Sequence, residues 1–277
     1  FSLQAAMAID PARDLHVPVS AVESRRLTRR YVMNGEAQDR YLRGKYLLDS
    51  HTRDNLLQAR TEFETAVRLE PQYAPALANL ALTYLALGNI GVLSPAEVRE
   101  LAPPPADQAY AVDPMLAEAA IAVADIRFRL HWDWEGAEQA YRHAIALNPS
   151  NVEARGAYAR FLAAAGRTDD AMREAREAYH IDPLSIDIHS VVGMMLYYDR
   201  RFDEAVEHFQ SRLSEPSGRS HIGVGRAASA AGRHAEAIPA LRRAAELSGQ
   251  QPSVRAELAR ALAAAGDRVE SLAILRD

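Results

Sequence analysis

The feature that most constrains this chain is a register of 34 residues that runs through most of its length. Ala137, Tyr141, Ala144 and Pro149 in GAEQAYRHAIALNP return as Ala171, Ala175, Ala178 and Pro183 in DAMREAREAYHIDP. Ala59, Phe63, Ala66 and Pro71 are an earlier copy, and Ala205 and Phe209 a later one. Ala137, Ala171 and Ala205 are 34 apart, Ala237 follows after 32, and Ser271 after 34 more. Steps of four and three put these residues on one face of a helix. The pattern is therefore a helix that buries a small-large-small stripe, repeated with a partner helix between copies. Alanine is abundant while valine, isoleucine and threonine are sparse, so local propensity agrees with helix almost throughout. Stacked units bury their faces against neighbours, so 277 residues need no single large core.

The register divides the chain into about seven units: 38–71, 74–114, 117–149, 152–183, 186–216, 218–249 and 252–277. Gly88, Gly166, Gly232 and Gly266 fall where the first helix of a pair must turn, and are expected to supply left-handed C-caps. Pro71, Pro114, Pro149 and Pro183 follow the second helix, where they end one helix and admit the next. Two units are irregular. The first carries extra turn residues, DSHTRDN, and the second an insertion from Ile90 to Leu101 followed by Pro103, Pro104 and Pro105. Because a residue before proline is pushed out of the α region, a break is expected near Leu101–Pro104, with Pro105 opening a short helix. Residues 1–33 lie outside the repeats and read as two short helices, a polar cap for the first unit or the end of a preceding domain. The last helix offers Leu272, Ile274 and Leu275 at its surface, a face suited to a homodimer.

On its 34-residue helix-hairpin period the chain resembles the tetratricopeptide repeat family. The resemblance implies an all-α, right-handed α-solenoid of about seven hairpins over 38–277, with a short N-terminal helical cap. YLRGKYLL (41–48), the SPAE turn, HWDWEGAEQAYRHAIALNP (131–149) and LYYDRRFDEAVEHF (196–209) are similar to a bacterial subgroup of that family. The opening FSLQAAMA looks like the helix that ends a TolB-like segment in those proteins. Such regions form the C-terminal half of multidomain signalling proteins headed by winged-helix DNA-binding domains, nucleotide cyclases or serine/threonine kinases. The resemblance implies a regulatory or sensor arm. A first residue of Phe1 rather than Met leads to the expectation that this chain is a piece of a longer protein.

Several chemistries are excluded or disfavoured. A formal net charge of −5 is not the basic footprint that direct nucleic-acid binding requires. No cysteine is present, so disulfides, thiolate metal sites and thiol nucleophiles are absent. No apolar run reaches the roughly 20 residues of a membrane span. The expected compartment is the cytoplasm, or the periplasm if a span precedes the chain. GVGRAA (223–228) matches a loose dinucleotide pattern but lacks the preceding strand, and Gly225 falls at a packing position of the repeat. No two histidines have the i, i+4 spacing of a helical zinc pair, and Asp169–Asp170 sits at a helix start, where carboxylates favour the dipole. No catalytic residues, cofactor or metal are expected, and the chain is not read as an enzyme. Trp132 and Trp134 are either an exposed anchor for a partner or wedges that close the third unit against the fourth.

Function is expected to concentrate in the concave groove lined by the first helix of each unit. Gly44, Ala81, Ala124, Ala159, Gly193, Gly225 and Ala259 align as the shared small position. The residues that follow include Lys45, Arg160, Met194, Arg226 and Arg260, and Tyr41, Phe128, Arg129, Tyr197 and Tyr198 are further inward positions. Arginine pairs with carboxylates through a planar fork and tyrosine adds amphipathic contact area. The leading expectation is a protein-interaction scaffold that binds an acidic peptide across units 4–7. The alternatives are a small-molecule sensor with an apolar pocket at Leu82, Leu85, Ile121 and Phe128, and self-association through the last helix.

Overall fold

The computed structural model describes residues 34–49, 52–214 and 218–276, and these are helical throughout their regular structure. Helices α1 (Gly35–Leu48) and α2 (Arg53–Leu69) form the first hairpin. Helix α3 (Ala74–Asn89) pairs with a split second helix, α4 (Pro95–Leu101) and α5 (Pro103–Val112). Helix α6 (Ala117–Ile126) runs on into a π-helical turn, Arg127–His131, before α7 (Trp134–Leu147). The remaining pairs are α8 (Val152–Ala164) with α9 (Thr168–Ile181), and α10 (Ile186–Tyr198) with α11 (Phe202–Gln210). They are followed by α12 (Arg219–Ala230) with α13 (His234–Leu247), and α14 (Pro252–Ala264) with α15 (Arg268–Arg276). Each first helix packs on its own partner and on the first helix of the next pair, which makes an α-solenoid.

Small residues let the helices approach. Any side chain at Gly44 would run into the ring of Phe63, and at Gly193 into Phe209, with contacts of 2.6 and 2.4 Å to a Cβ placed there. Gly225 meets Leu241 in the same way, so the large residue of each second helix fills the space left by the small one. All seven aligned small positions are buried. In the last pair Ser271 stands in for the alanine and donates from Oγ to the Ala259 carbonyl at 2.8 Å, so its hydroxyl is satisfied inside the contact. The core is a series of clusters along the stack, built around Phe63 with Leu85, around Tyr141 with Phe161, around Phe209 and around Leu241.

Helix ends follow the chemistry of the sequence. Asn34, Thr52, Asp133, Asn151 and Ser185 accept from backbone N–H groups of the first turn, and Ser94 with Glu97 forms a reciprocal capping box. Gly166, Gly232 and Gly266 have φ of +76°, +76° and +95°, the left-handed caps expected of them. Gly88 does not: it stays inside α3, where a Cβ would lie 2.6 Å from Val98, and the left-handed turn falls to Gly91 at +74°. Gly88 is thus required by the close approach of α4, a contact that the insertion creates. In the third and fifth units the left-handed residue is Trp132 or Arg200, at φ of 58° and 61°.

The proline run breaks the second helix of unit 2 at Ala102, as expected, but α5 begins at Pro103 rather than Pro105. All three prolines fit the first turn, where the missing N–H groups have no intrahelical acceptor to lose. The expected helical cap over residues 1–33 lies outside the described residues. At the other end Leu272 and Leu275 are exposed, while Ile274 packs on the cluster of Leu241, Leu258 and Leu262.

Candidate partner-binding cavity

The superhelix curls far enough for its first two hairpins to face its last four. Between them lies a cavity of about 920 Å³. One wall comes from α8, α10 and α12: Arg160, Val191, Met194, Tyr198, Arg219 and Arg226. The turn between α13 and α14, from Leu247 to Val254, closes one side. Opposite lie Thr52 and Arg53 at the start of α2, and the Asn89–Val92 turn after α3. Four arginines and one carboxylate, Asp187, line this space together with an apolar floor that includes Met195 and Phe209.

The repeat places the charges, and neighbouring units hold them. Arg160 Nη1 lies 3.4 Å from Asp187, one hairpin further on, and the side chain remains half exposed to the cavity. Desolvation works against the Arg160 charge, but Asp187 and Asp125 outweigh it and hold its pKa above the ordinary arginine value. Arg219 Nη1 reaches the other oxygen of Asp187 at 2.9 Å. Burial draws Arg219 down to about 10, which leaves it protonated at neutral pH. Arg226 Nε lies 3.2 Å from Glu257, which Arg260 also grips at 2.8 Å from its own helix.

The ten residues singled out in the sequence thus separate. Arg160, Met194, Tyr198 and Arg226 line the cavity. Tyr197 packs beside Tyr198 and Phe202 at the end of α10, and Arg260 stands outside the lining, held to Glu257. Lys45 reaches across the superhelix to Glu153 at 3.2 Å. Tyr41 lies edge-on to Tyr73 with ring centroids 5.1 Å apart, and packs on Phe63, so it joins the first two hairpins rather than facing a ligand. Burial raises its phenol well above the usual range. Phe128 is locked among Trp134 and Phe161 at 5.0 and 5.3 Å, and Arg129 is tied to Asn89 and Asp125.

One expectation is corrected. Leu85 and Ile121 are core residues and Leu82 and Phe128 pack against the core, so these four side chains fill the interior and do not line the cavity. The two tryptophans divide the roles between which the sequence left a choice. Trp134 wedges between the third and fourth units on Phe128 and Phe161, whereas Trp132, at a left-handed turn after the π-helical residues, is 67% exposed. Among the described residues no helix is long and apolar enough to cross a membrane, and no group of three or more acidic or histidine side chains is placed to hold a metal ion.

Arg53, Arg219, Asp187 and Glu257 were not singled out from the sequence. For the acids a signal exists: each stands on the next first helix, 27 or 31 residues after the arginine it holds. Arg53 carries no such periodic mark, because it enters through the closure of the superhelix.

Comparison with known proteins agrees with this architecture. Two models described as tetratricopeptide repeat match residues 133–194 with 228–277, and residues 193–252, together an unbroken run over more than half of the chain. Superkiller protein 3 of Schizosaccharomyces pombe is 28% identical over 214 residues, which is 76% of this chain and 13% of that protein. The chain spans a quarter or less of the length of the curated relatives it matches. A tetratricopeptide repeat protein from Parabacteroides merdae superposes with a TM-score of 0.57 at 14% identity, covering 88% of this chain and 92% of that one. Human IFIT1, solved as a dimer with PPP-AAAA, gives a TM-score of 0.70 at 17% identity, covering 99% of this chain and 67% of that one. At these identities the likeness to solved structures is one of fold. With the repeat register, the helix-hairpin stack and the family models in agreement, the chain belongs to the tetratricopeptide repeat family.

Proposed function

We propose that this chain is the interaction arm of a bacterial transcription regulator or signalling protein, and that it holds an acidic partner peptide in the cavity. Tetratricopeptide repeat proteins generally mediate protein–protein interactions, and the fold is typically a non-catalytic scaffold. The observation that carries the reading is the excess of arginine over carboxylate around a cavity of about 920 Å³. Such a surface attracts anionic groups and offers them fork-shaped hydrogen bonding, while Met194 and Tyr198 offer apolar contact. The signalling role rests on the sequence resemblance at residues 41–48, 131–149 and 196–209. In that setting residues 1–33 are the cap or the end of a preceding domain, and 38–277 the solenoid.

A titration with a fluorescent acidic peptide tests this reading. Reversing charge at Arg160, Arg226 and Arg260 together is expected to weaken binding by tenfold or more, and raised salt to weaken it in the native chain. An unchanged affinity in the triple variant overturns it. A second reading, a small-molecule sensor, draws on the cavity volume, which falls in the range of small-ligand sites. Saturable binding of an organic anion that displaces no peptide favours that reading. The exposed Leu272 and Leu275 further support self-association through α15, which predicts a mass that rises with concentration and falls in Leu272→Glu.

A further inference from the structure

The cavity has a wall that its own repeats do not supply. Arg53 and the Asn89–Val92 turn belong to the first two hairpins, yet they face side chains of α8, α10 and α12. The first hairpin is joined to these distant helices through charges at helix ends. Lys45, in the last turn of α1, meets Glu153, in the first turn of α8, at 3.2 Å across 108 residues of sequence. Glu118, Glu153 and Asp187 occupy the first turns of α6, α8 and α10, and the field of Glu153 and Glu118 acts on Lys45. Asp49, just after α1, lies within the fields of Asp187 and Arg219.

The arginines of the cavity are not equivalent. Asp187 occupies Arg160 and Arg219, whereas Glu257 meets Arg226 only through Nε at 3.2 Å and leaves its terminal N–H groups to a ligand. Arg53 forms no ion pair among the described residues, so its charge is fully available to a ligand. It reaches the cavity only while the first hairpin stays docked on the fourth.

We propose that the cavity is a composite site in which an acidic segment with one apolar anchor is clamped between Arg53 of the first hairpin and Arg226 of the sixth, and that the Lys45–Glu153 pair keeps the clamp closed. The proposal rests on the acidic-peptide reading above and assigns its specificity. The anchor lies over Val191 and Met194, and a carboxylate beside it meets the unspent guanidinium of Arg53. A single partly exposed ion pair contributes little to fold stability, so Lys45–Glu153 serves the geometry of the site more than the stability of the chain.

The test is fluorescence polarisation of a labelled ten-residue peptide, acidic with one central leucine, titrated with the full chain at low salt. The native chain is expected to bind saturably. Arg53→Glu should weaken binding by about tenfold or more, and it leaves the fold intact because a carboxylate at the start of α2 suits the helix dipole. Lys45→Glu and Glu153→Lys should each weaken binding by roughly three- to tenfold, since each sets like charges face to face. The double swap, Lys45→Glu with Glu153→Lys, should restore affinity to within about twofold of native, and because all three variants should melt close to the native chain, the loss and rescue report the site and not the fold. Circular dichroism melting confirms that each variant folds. If the triple arginine reversal abolishes binding while Arg53→Glu and Lys45→Glu do not, the groove reading stands and the composite clamp falls. Failure of the swap to restore binding also overturns the clamp. No binding by the native chain overturns both.

Discussion

Helices α3 and α12 occupy equivalent places in their hairpins and have opposite surroundings. Helix α3, APALANLALTYLALGN, carries no charge, and all but four of its sixteen residues are buried, because α1, α2, α5 and α6 cover it. Helix α12, RSHIGVGRAASA, buries its glycine and alanine stripe but turns Arg219 and Arg226 into the cavity. A helix that is apolar all round must be enclosed, and one with a polar stripe leaves that stripe to solvent or ligand. The insertion that splits the second unit accordingly makes the front of the solenoid a filled core. The regular repeats at the back keep an open, charged inner face. The two regions share one fold, but only the second has a charged inner face, and the first adds to the cavity through Arg53 and the turn after α3.

The largest effect is expected from removing a side chain on which the rear half rests. Phe209 fills the space left by Gly193 and Gly223 and also borders the cavity. Phe209→Ala should cost about 3–5 kcal/mol of stability in chemical denaturation. A loss below about 1 kcal/mol would mean that the rear hairpins do not depend on this contact. Gly193→Ala forces Phe209 to move and should cost about 1–3 kcal/mol, less than the truncation because the ring can adjust.

A smaller effect concerns pH. His189 and His208 stack in the fifth unit with ring centroids 4.0 Å apart, and His208 Nε2 donates to the His189 carbonyl at 2.9 Å. Burial, with Arg212 nearby, lowers the pKa of His208 below the ordinary 6.5. The folded state therefore resists protonation there. This contribution to stability is complete above the free-imidazole pKa and is lost as pH falls below it. Urea denaturation should show a midpoint that declines as pH falls below 6.5, and His208→Gln should make that decline shallower just below 6.5. The smallest effect belongs to Trp132, whose exposure predicts that Trp132→Ala changes stability by no more than about 0.5 kcal/mol. Trp134→Ala, which empties a wedge on Phe161, should cost more, and equal losses would erase the distinction between the two residues.

Much of this fold was legible because a repeat declares its own contacts. Gly44, Gly193 and Gly225 could be matched to Phe63, Phe209 and Leu241 by register alone, since helix approach is local to each hairpin. The inner positions Arg160, Met194 and Arg226 followed from the same register, and they line the cavity. Three features lay beyond it. Gly88 resembles a turn glycine in sequence, and its packing role depends on where the inserted α4 lands. Phe128 and Tyr41 fall at inward register positions, yet aromatic neighbours draw them into contacts between units. Arg53 and the Lys45–Glu153 join depend on the pitch of the superhelix, which sums small rotations over four hairpins and leaves no local mark.

A partner held on the inner face of the rear half must touch the methionines there. Methyl-methionine NMR during titration with the acidic peptide tests this most directly, because methionines stand both inside and outside the cavity. Met194 and Met195 line it, while Met115 is exposed elsewhere, at the turn into α6. The methyl signals of Met194 and Met195 should shift progressively to saturation while that of Met115 stays in place. Saturable binding that leaves Met194 and Met195 unmoved would contradict a partner site on this face.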